Sequence, residues 1–304
     1  MNSSTRYNWQ LLRAGPLKLD GGGMFGLVPR VVWSKVAPPD ERGRIEIAHN
    51  CLLLSRNDDP SFKIVIETGS GDKFDARSRD IFGLTDRSIV DAVEETGTRL
   101  DEIANVIVTH LHFDHAGGLT RRSDSGPALT FPLAKVIVQK QEWEDAIANN
   151  SVMTRTYLAE HLDPIRDHLH LIESPSPYPA MGHPSRLFSP TVPLEERMTE
   201  VLPGVFVFLV PGHTWGQQAV LFTDTTGQRV VFVPDVLPTA WHVGAAYSLS
   251  YDVEPYTSML SRRWFLEEAV QNDWLLVLDH EPGEPRRRAC KNAREWFDLS
   301  LEDR

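Results

Sequence analysis

Cysteine is scarce in this sequence, which contains only Cys51 and Cys290 among its 304 residues. Two cysteines so far apart cannot build a disulfide framework, and this usage is typical of a reducing compartment. Long apolar runs are also missing, since none approaches the ~18 residues that a membrane-spanning helix requires. Residues 1–10 contain neither the charged nor the apolar segment of a signal peptide. We therefore expect a cytoplasmic protein without a membrane partner.

Positive charge is in the minority: 31 lysines and arginines stand against 42 aspartates and glutamates, for a formal net charge of -11. Nucleic-acid-binding proteins usually cluster lysine and arginine, so this balance argues against a phosphate backbone as the main partner. The basic run at residues 286–288 is interpreted as the exposed start of a helix. We expect a small-molecule substrate and no nucleic acid, and the sequence leaves a homodimer open.

The chain is long enough for one large core, because 41% of its residues are hydrophobic. We expect a single domain over residues 1–304. Short apolar runs bounded by turn residues predict strands at residues 50–55, 62–69, 105–110, 134–139, 204–212, 219–224, 229–235 and 274–280. Helical periodicity predicts helices at residues 87–97, 140–149, 257–272 and 285–301.

Both halves of the sequence have strands first and helices after them, with a break near residues 173–200. This order predicts an α+β protein with four layers, αβ/βα, in which two β-sheets pack face to face with the helices outside. Six prolines within residues 173–193 exclude regular structure from most of that stretch. We interpret it as an insertion that forms a lid or an interface arm, with a plain surface loop as the alternative.

The strongest signal in the chain is THLHFDHAGG at residues 109–118, where a predicted strand ends. In extended backbone, His110 and His112 point to the same side, so both imidazoles can converge on one ion. Asp114 and His115 follow where the chain must turn, and the glycines at 117–118 let the backbone approach closely. Histidine nitrogens and a carboxylate suit a borderline cation such as Zn²⁺.

Three further candidates each stand at the end of an apolar strand: His213, Asp235 and His280. Loops at strand ends commonly carry binding residues, because the sheet holds them in place. A single residue of this kind is more often an ordinary loop residue. Their joint placement at three strand ends favours a metal site that includes them.

On these residues the chain resembles the hydrolases of the metallo-β-lactamase fold, through HLHFDH at 110–115 and PGHT at 211–214. Within that fold it is similar to the N-acyl-homoserine-lactone lactonases, including the YtnP-like group, through residues 21–45, 79–85 and 234–242. The resemblance covers nearly the whole chain. It implies two divalent transition-metal ions, with Zn²⁺ preferred and Mn, Fe or Co as alternatives.

The resemblance also implies the ligands and the reaction. One ion would bind His110, His112 and His213, a second would bind Asp114, His115 and His280, and Asp235 would bridge both. Two such ions share a hydroxide at neutral pH and polarise the scissile carbonyl. The implied reaction opens lactones, as in quorum quenching, or cleaves related carboxylic esters. A phosphotriesterase, a β-lactamase or a thioesterase on the same metal site is the alternative, and a non-hydrolytic di-iron protein is disfavoured because the second motif histidine suits zinc.

Two catalytic roles are inferred for residues beside these ions. Asp114 would also handle the proton of the leaving alkoxide. Pro238 stands where some lactonases place a tyrosine that contacts the substrate carbonyl, so His242 is the second catalytic candidate, with a structural histidine as the alternative. An apolar substrate pocket is predicted to be lined by Phe113, Trp215 and Trp241.

Departures from the family pattern concern residues next to the ligands. Glu67, in Glu67-Thr68-Gly69, replaces the usual aspartate after an early strand, so its carboxylate lies one methylene further from the backbone. The longer side chain leaves open how Glu67 would orient the metal ligands beside it. After His213, Trp215 and Gln217 stand where related sequences commonly have proline and histidine.

Overall fold

The structure is a computed structural model that describes residues 5–149, 156–178, 190–244 and 246–302. The chain divides into two compact units: residues 1–18 with 46–172, and residues 19–45 with 173–304. The insertion predicted at residues 173–193 falls largely on residues 179–189, which lie outside the described residues. The expectation of a single domain stays a prediction.

The strands, in chain order, are β1 Tyr7–Asp20, β2 Arg44–Arg56, β3 Lys63–Ile66, β4 Ile103–Ile107, β5 Thr120–Arg121, β6 Ala128–Leu129, β7 Lys135–Gln139, β8 Leu169–Ile172, β9 Thr199–Leu202, β10 Val205–Leu209, β11 Gln218–Thr223, β12 Arg229–Val233, β13 Leu275–Leu278, β14 Arg286–Lys291 and β15 Phe297–Leu301. The α-helices are α1 Gly21–Phe25, α2 Arg30–Trp33, α3 Ala76–Phe82, α4 Ile89–Glu94, α5 Phe113–Ala116, α6 Lys140–Ala148, α7 Ala159–Leu162, α8 Leu194–Arg197 and α9 Pro255–Gln271. Short 3-10 helices are Leu100–Glu102, Gly117–Leu119, Asp163–His168 and Ala240–Val243.

The first sheet brings several chain segments to one edge. Among the described residues it has six strands in the order β1-β2-β3-β4-β7-β8. β3, β4, β7 and β8 run parallel to one another, and the isoleucines and valines of β3, β4 and β7 are buried. Because the carboxyl ends of parallel strands meet at one edge, the segments that follow β3, β4 and β7 all start from that edge.

The second sheet brings three loops to one of its edges. Within the described part of the chain it has seven strands in the order β15-β14-β13-β12-β11-β10-β9. β12 and β13 are parallel, while β11 is antiparallel to both β10 and β12. β10, β12 and β13 therefore run in one direction, and the segments after them leave from one edge. Those segments carry His213, Asp235 and His280.

Each unit has an apolar core of its own. The core of the first unit includes Val106 and Val138, and that of the second includes Phe208, Phe265 and Trp274. Complete burial of a large apolar side chain contributes about 1.5–3 kcal/mol, so these clusters stabilise the sheets that carry the loops.

The α+β prediction is confirmed, and each of the eight predicted strands overlaps an observed one. No helix within the described ranges is long and apolar enough to cross a membrane.

The helix predicted at residues 285–301 is wrong. This stretch forms the antiparallel hairpin of β14 and β15, in which Lys291 pairs with Phe297 and Glu295 takes a left-handed φ of 58° in the turn. The interpretation of residues 286–288 as an exposed helix start is wrong as well. The side chain of Arg287 is buried, and its Nη2 lies 3.4 Å from Glu281 Oε1. Pairing of β14 with β13 overrides the helix propensity of arginine, alanine and lysine.

Candidate metal centre

The three histidines of the motif after β4 converge in the structure. After β4 the backbone is extended at His112, and the chain turns into α5 directly after that residue. The side chains of His110, His112 and His115 are buried. The imidazole centroid of His110 lies 4.6 Å from that of His112 and 3.9 Å from that of His115. The structure thus brings the predicted imidazoles together, in agreement with the i and i+2 spacing and the turn.

Two buried carboxylates hold the backbone on either side of the first motif histidine. Glu67 Oε1 accepts a hydrogen bond from the N–H of Thr109 at 2.5 Å, and Glu142 Oε1 accepts one from the N–H of Leu111 at 2.9 Å. Glu67 Oε2 lies 3.4 Å from His115 Nδ1, so the longer side chain still reaches the motif. Local sequence patterns do not predict Glu142, because its contact with the motif spans 31 residues of chain.

The glycine pair after the motif allows the close approach that the sequence predicted. A Cβ on Gly117 would lie 2.2 Å from the carbonyl oxygen of Ser70, and a Cβ on Gly118 would lie 2.1 Å from that of Thr68. No side chain fits at such distances. Thr68 Oγ1 also donates to the carbonyl of His115 at 2.6 Å, so the segment after β3 packs directly on the motif.

In the second unit, the candidates at the three strand ends lie close together. Asp235 Oδ2 is 3.0 Å from His213 Nε2, and Asp235 Oδ1 is 3.4 Å from His280 Nε2. His213 Nδ1 lies 2.9 Å from Asp252 Oδ1. Asp252 is not visible as a candidate in the sequence. A carboxylate at the second ring nitrogen commonly orients a metal-binding histidine, and Asp252 lies at this place.

The environment of His213 is strongly negative. Burial acts to lower the pKa of His213, but the charges and hydrogen bonds of Asp235 and Asp252 raise this pKa to about 10. The field that stabilises a proton on this ring equally stabilises a cation bound in its place. The carboxylates are therefore suited to hold a metal ion against the imidazole.

Two groups of buried donors can each hold a metal ion. Within each group, one ligand atom per residue lies within 4.8 Å of the others. One group contains His110, His112, His213 and Asp235, and the other contains His115, Asp235, Asp279 and His280. Imidazole nitrogens with carboxylate oxygens suit Zn²⁺, which prefers four such donors. Burying this many carboxylates and imidazoles together is costly without a cation, so the residues present fit a dinuclear metal site.

A family model described as the metallo-beta-lactamase superfamily matches residues 44–280. The chain belongs to the metallo-beta-lactamase superfamily. Together with the two donor groups, this match confirms the prediction of a metal-dependent hydrolase at the level of the superfamily.

Curated relatives within the superfamily are N-acyl homoserine lactonases. One from Bacillus thuringiensis is 30% identical over 137 residues, which are 45% of this chain and 39% of that protein. One from a Bacillus species is 29% identical over 210 residues, which are 69% of this chain and 67% of that protein. The match to the Bacillus thuringiensis lactonase therefore spans well under half of that protein's length.

Solved structures establish the fold. A probable metal-dependent hydrolase from Staphylococcus aureus has a TM-score of 0.80 at 24% identity and covers 98% of both chains. AidC, a dizinc quorum-quenching lactonase in complex with a product, has a TM-score of 0.73 at 17% identity and covers 100% of this chain and 99% of that one. The predicted metallo-β-lactamase fold, with two mixed sheets and helices, is confirmed.

The observed donor groups differ from the predicted ligand set at two residues, Asp114 and Asp279. Asp114 is buried in the first turn of α5, with Oδ1 3.8 Å from His115 Nε2, but it is not part of either donor group. Asp279, directly before His280, is part of the second group, although the sequence pattern does not predict it. The ligand role of Asp114 stays a prediction.

His242 is completely buried, and both of its ring nitrogens have partners. Nε2 donates to the carbonyl of Met24 at 2.8 Å, and Nδ1 accepts from Thr239 Oγ1 at 2.8 Å. The ring stacks on Phe25 with a centroid distance of 4.9 Å. Burial, with a smaller effect from Arg262, lowers the pKa of His242 to about 3. The catalytic role of His242 stays a prediction, and this geometry favours its structural alternative.

The predicted pocket residues occupy different surroundings. Phe113 is half-buried and contacts Phe74 and Phe82. Trp241 lies 6.3 Å from the ring of Phe25, and Trp215 is 44% exposed. Their role in a substrate pocket stays a prediction.

Proposed function

We propose that this member of the superfamily is a binuclear hydrolase that opens lactones of the N-acyl-homoserine type or cleaves related carboxylic esters. The observation that carries the proposal is the pair of buried donor groups that share Asp235. A shared carboxylate is the ligand that a two-ion centre uses to hold its ions close together. The curated relatives, which are named N-acyl homoserine lactonases, supply the substrate class.

The residues that would hold the ions follow from the donor groups. His110, His112 and His213 would hold one ion, His115 and His280 would hold the other with Asp114 or Asp279, and Asp235 would serve both. When bound, two such ions lower the pKa of a shared water and act as Lewis acids on the substrate carbonyl. Zn²⁺ is the preferred metal, because imidazole donors dominate the set.

Asp114 would manage the proton of the reaction. Its carboxylate lies in the first turn of α5, beside His115. A carboxylate that takes up a proton during attack on the carbonyl can return it to the alkoxide that leaves as the ring opens. The buried position of Asp114 shields this transfer from bulk water.

An aromatic wall next to the motif suits an acyl chain. The ring of Phe113 lies 5.4 Å from that of Phe74 and 4.9 Å from that of Phe82. All three rings are half-buried, so they still offer apolar area to a substrate. We therefore expect longer acyl chains to be preferred over short ones.

A substrate panel on metal-analysed protein tests the proposal. The panel contains lactones with short and long acyl chains, an aryl ester, a phosphotriester and a chromogenic cephalosporin. We expect the highest kcat/KM for long-chain acyl lactones and loss of that activity in Asp235→Asn. Asp86→Asn is the control, because Asp86 is an exposed aspartate. A kcat/KM that is highest for the phosphotriester or the cephalosporin would contradict the lactonase proposal.

Metal content tests the binuclear centre independently of the substrate. The purified protein, loaded with Zn²⁺, should hold about two ions per chain, because the donors exceed what one four-coordinate ion uses. Elemental analysis that reaches a plateau at one ion per chain would contradict the shared role of Asp235.

A further inference from the structure

One face of α9 is buried although it is polar. Ser258, Ser261 and Arg262 are each no more than 1% exposed, and spacings of three and four residues place them on one side of the helix. Burial of hydroxyl and guanidinium groups costs free energy unless they find hydrogen-bond partners. The hydrogen-bond partners of these side chains therefore indicate which parts of the chain this face of α9 holds.

Two of these side chains bind backbone carbonyls in the loops that carry metal-ligand candidates. Ser261 Oγ donates to the carbonyl of Pro211 at 2.6 Å, two residues before the candidate histidine of that loop. Arg262 Nε donates to the carbonyl of Val236 at 2.6 Å, and Val236 directly follows Asp235 in the loop after β12. Adjacent residues of one helix thus hold both loops.

The peptide of Val236 is held from its other side as well. Its N–H donates to Gln217 Oε1 at 2.9 Å, and Gln217 is fully buried. A residue whose N–H and C=O are both bonded by buried side chains cannot rotate without breaking a bond that no water replaces. The neighbouring carboxylate of Asp235 is fixed with it, 3.0 Å from His213 Nε2.

Arg262 binds two further backbone carbonyls. Its Nη1 donates to the carbonyls of Gly244 and Tyr247, so the planar guanidinium reaches three backbone carbonyls in all. A buried cation is expensive, and an apolar side chain of similar volume would often fill the space at lower cost. A cation at this place fits a role in holding the loops better than a role in packing alone.

We propose that Ser261 and Arg262 are positioning residues for metal binding, which set the spacing from which His213 and Asp235 take the same ion. The inference rests on the proposed function, because it requires an ion at these two residues. Both positioning residues are buried, so they act through the loops and not on the substrate.

The affinity of substituted proteins for Zn²⁺ tests the inference. Arg262→Met keeps most of the side-chain volume and removes the guanidinium group, whereas Arg262→Lys keeps the positive charge on a single nitrogen. Ser261→Ala removes the hydroxyl. Arg197→Met is the matched control, because Arg197 is equally buried and its Nε donates to the carbonyl of Val192, outside both loops. Competition with a chromogenic chelator gives the affinity, and thermal unfolding of the metal-free protein gives the stability.

We expect Arg262→Met to weaken Zn²⁺ binding by about 10- to 100-fold, the usual cost of losing a residue that orients a metal ligand. Ser261→Ala should weaken it less, and Arg262→Lys should restore part of the affinity. Arg197→Met should lower the unfolding temperature to a similar degree while Zn²⁺ affinity stays at the wild-type value.

Equal Zn²⁺ affinities of Arg262→Met and Arg197→Met would overturn the inference. If Arg262→Met does not fold, the comparison of Arg262→Lys with Arg197→Lys decides by the same measure. A wild-type protein that binds no Zn²⁺ would overturn the proposed function instead, so the two failures are distinguishable.

Discussion

The metal-ligand candidates of the two units are held in opposite ways. After β4, the candidates stand within six residues, and Glu67 and Glu142 accept hydrogen bonds from backbone N–H groups beside them. In the second unit the candidates stand on three separate loops, and donors on α9 bind backbone carbonyls of two of these loops. Two negatively charged acceptors thus support the backbone of the motif, whereas a hydroxyl and a cation donate to the backbone of two loops.

This difference has an electrostatic consequence. Carboxylates beside the motif add negative charge where the imidazoles converge, and this charge favours a bound cation. Arg262 instead places positive charge beside the loop of Asp235, which disfavours a metal ion unless the gain in geometry outweighs the repulsion. Loss of the charge of Glu67 or Glu142 should therefore weaken metal binding at the motif, whereas at Arg262 the loss of hydrogen-bond geometry should weaken it at the loops.

Apart from Asp235→Asn, the largest effect is expected at Asp114, the carboxylate within the motif itself. Asp114→Asn keeps the size of the side chain and removes the charge that accepts a proton. Loss of an acid-base group alone lowers turnover by on the order of 10² to 10⁴, and loss of an ion would add to this cost. Turnover and metal stoichiometry are measured together, with the exposed Asp124→Asn as control. Two bound ions and near-normal turnover in Asp114→Asn would show that its assignment is wrong.

The same contrast decides how much of the site is predictable from the sequence. The motif is visible because its histidines stand next to one another, and the three strand-end candidates are visible because each follows an apolar run. The supports are not visible, since His213 meets Asp252 across 39 residues and Leu111 meets Glu142 across 31. Such contacts depend on strand order, which local patterns do not determine.

The fold is predictable to a similar extent. Strands with buried apolar runs, such as β12 and β13, follow from the sequence because burial on both faces leaves continuous apolar segments. β14 and β15 do not, because they lie at the end of the sheet and are partly exposed. Their spacing of alanine and aromatic residues fits a helix equally well, and only the pairing with β13 decides between the two.

A smaller effect is expected when the charge beside the motif is removed. In Glu142→Gln, the side-chain oxygen can still accept the N–H of Leu111, but the negative charge is lost. We expect Zn²⁺ affinity to fall by about 10-fold or more, with little change in the unfolding temperature of the metal-free protein. The exposed Glu144→Gln, on the same helix, is the matched control. Unchanged affinity in Glu142→Gln would mean that geometry, and not charge, is what the motif requires.

A still smaller effect on turnover is expected at His242, which belongs to neither donor group. His242→Ala should retain both ions and change turnover by less than the 10²-fold that marks the loss of a general acid or base. Its cost should appear in stability, by about 1–3 kcal/mol, because the carbonyl of Met24 loses its buried donor. Urea unfolding and steady-state kinetics measure the two effects. A fall in turnover of 10³-fold with both ions in place would make His242 catalytic.

The smallest effect at neutral pH concerns His161, a buried histidine of α7 outside both donor groups. Burial, with a contribution from Lys73, lowers the pKa of His161 to about 3, whereas an unfolded chain has a histidine pKa near 6.5. Below pH 6.5 the unfolded state therefore binds more protons, and the free energy of unfolding falls by about 1.4 kcal/mol per pH unit until the pH approaches 3. His161→Leu should abolish this contribution, so its stability relative to the wild type should rise by about 1.4 kcal/mol between pH 8 and pH 5.5. The exposed His170→Leu is the control, and urea unfolding at both pH values measures the difference. A constant difference between His161→Leu and the wild type would show that His161 is protonated in the folded protein.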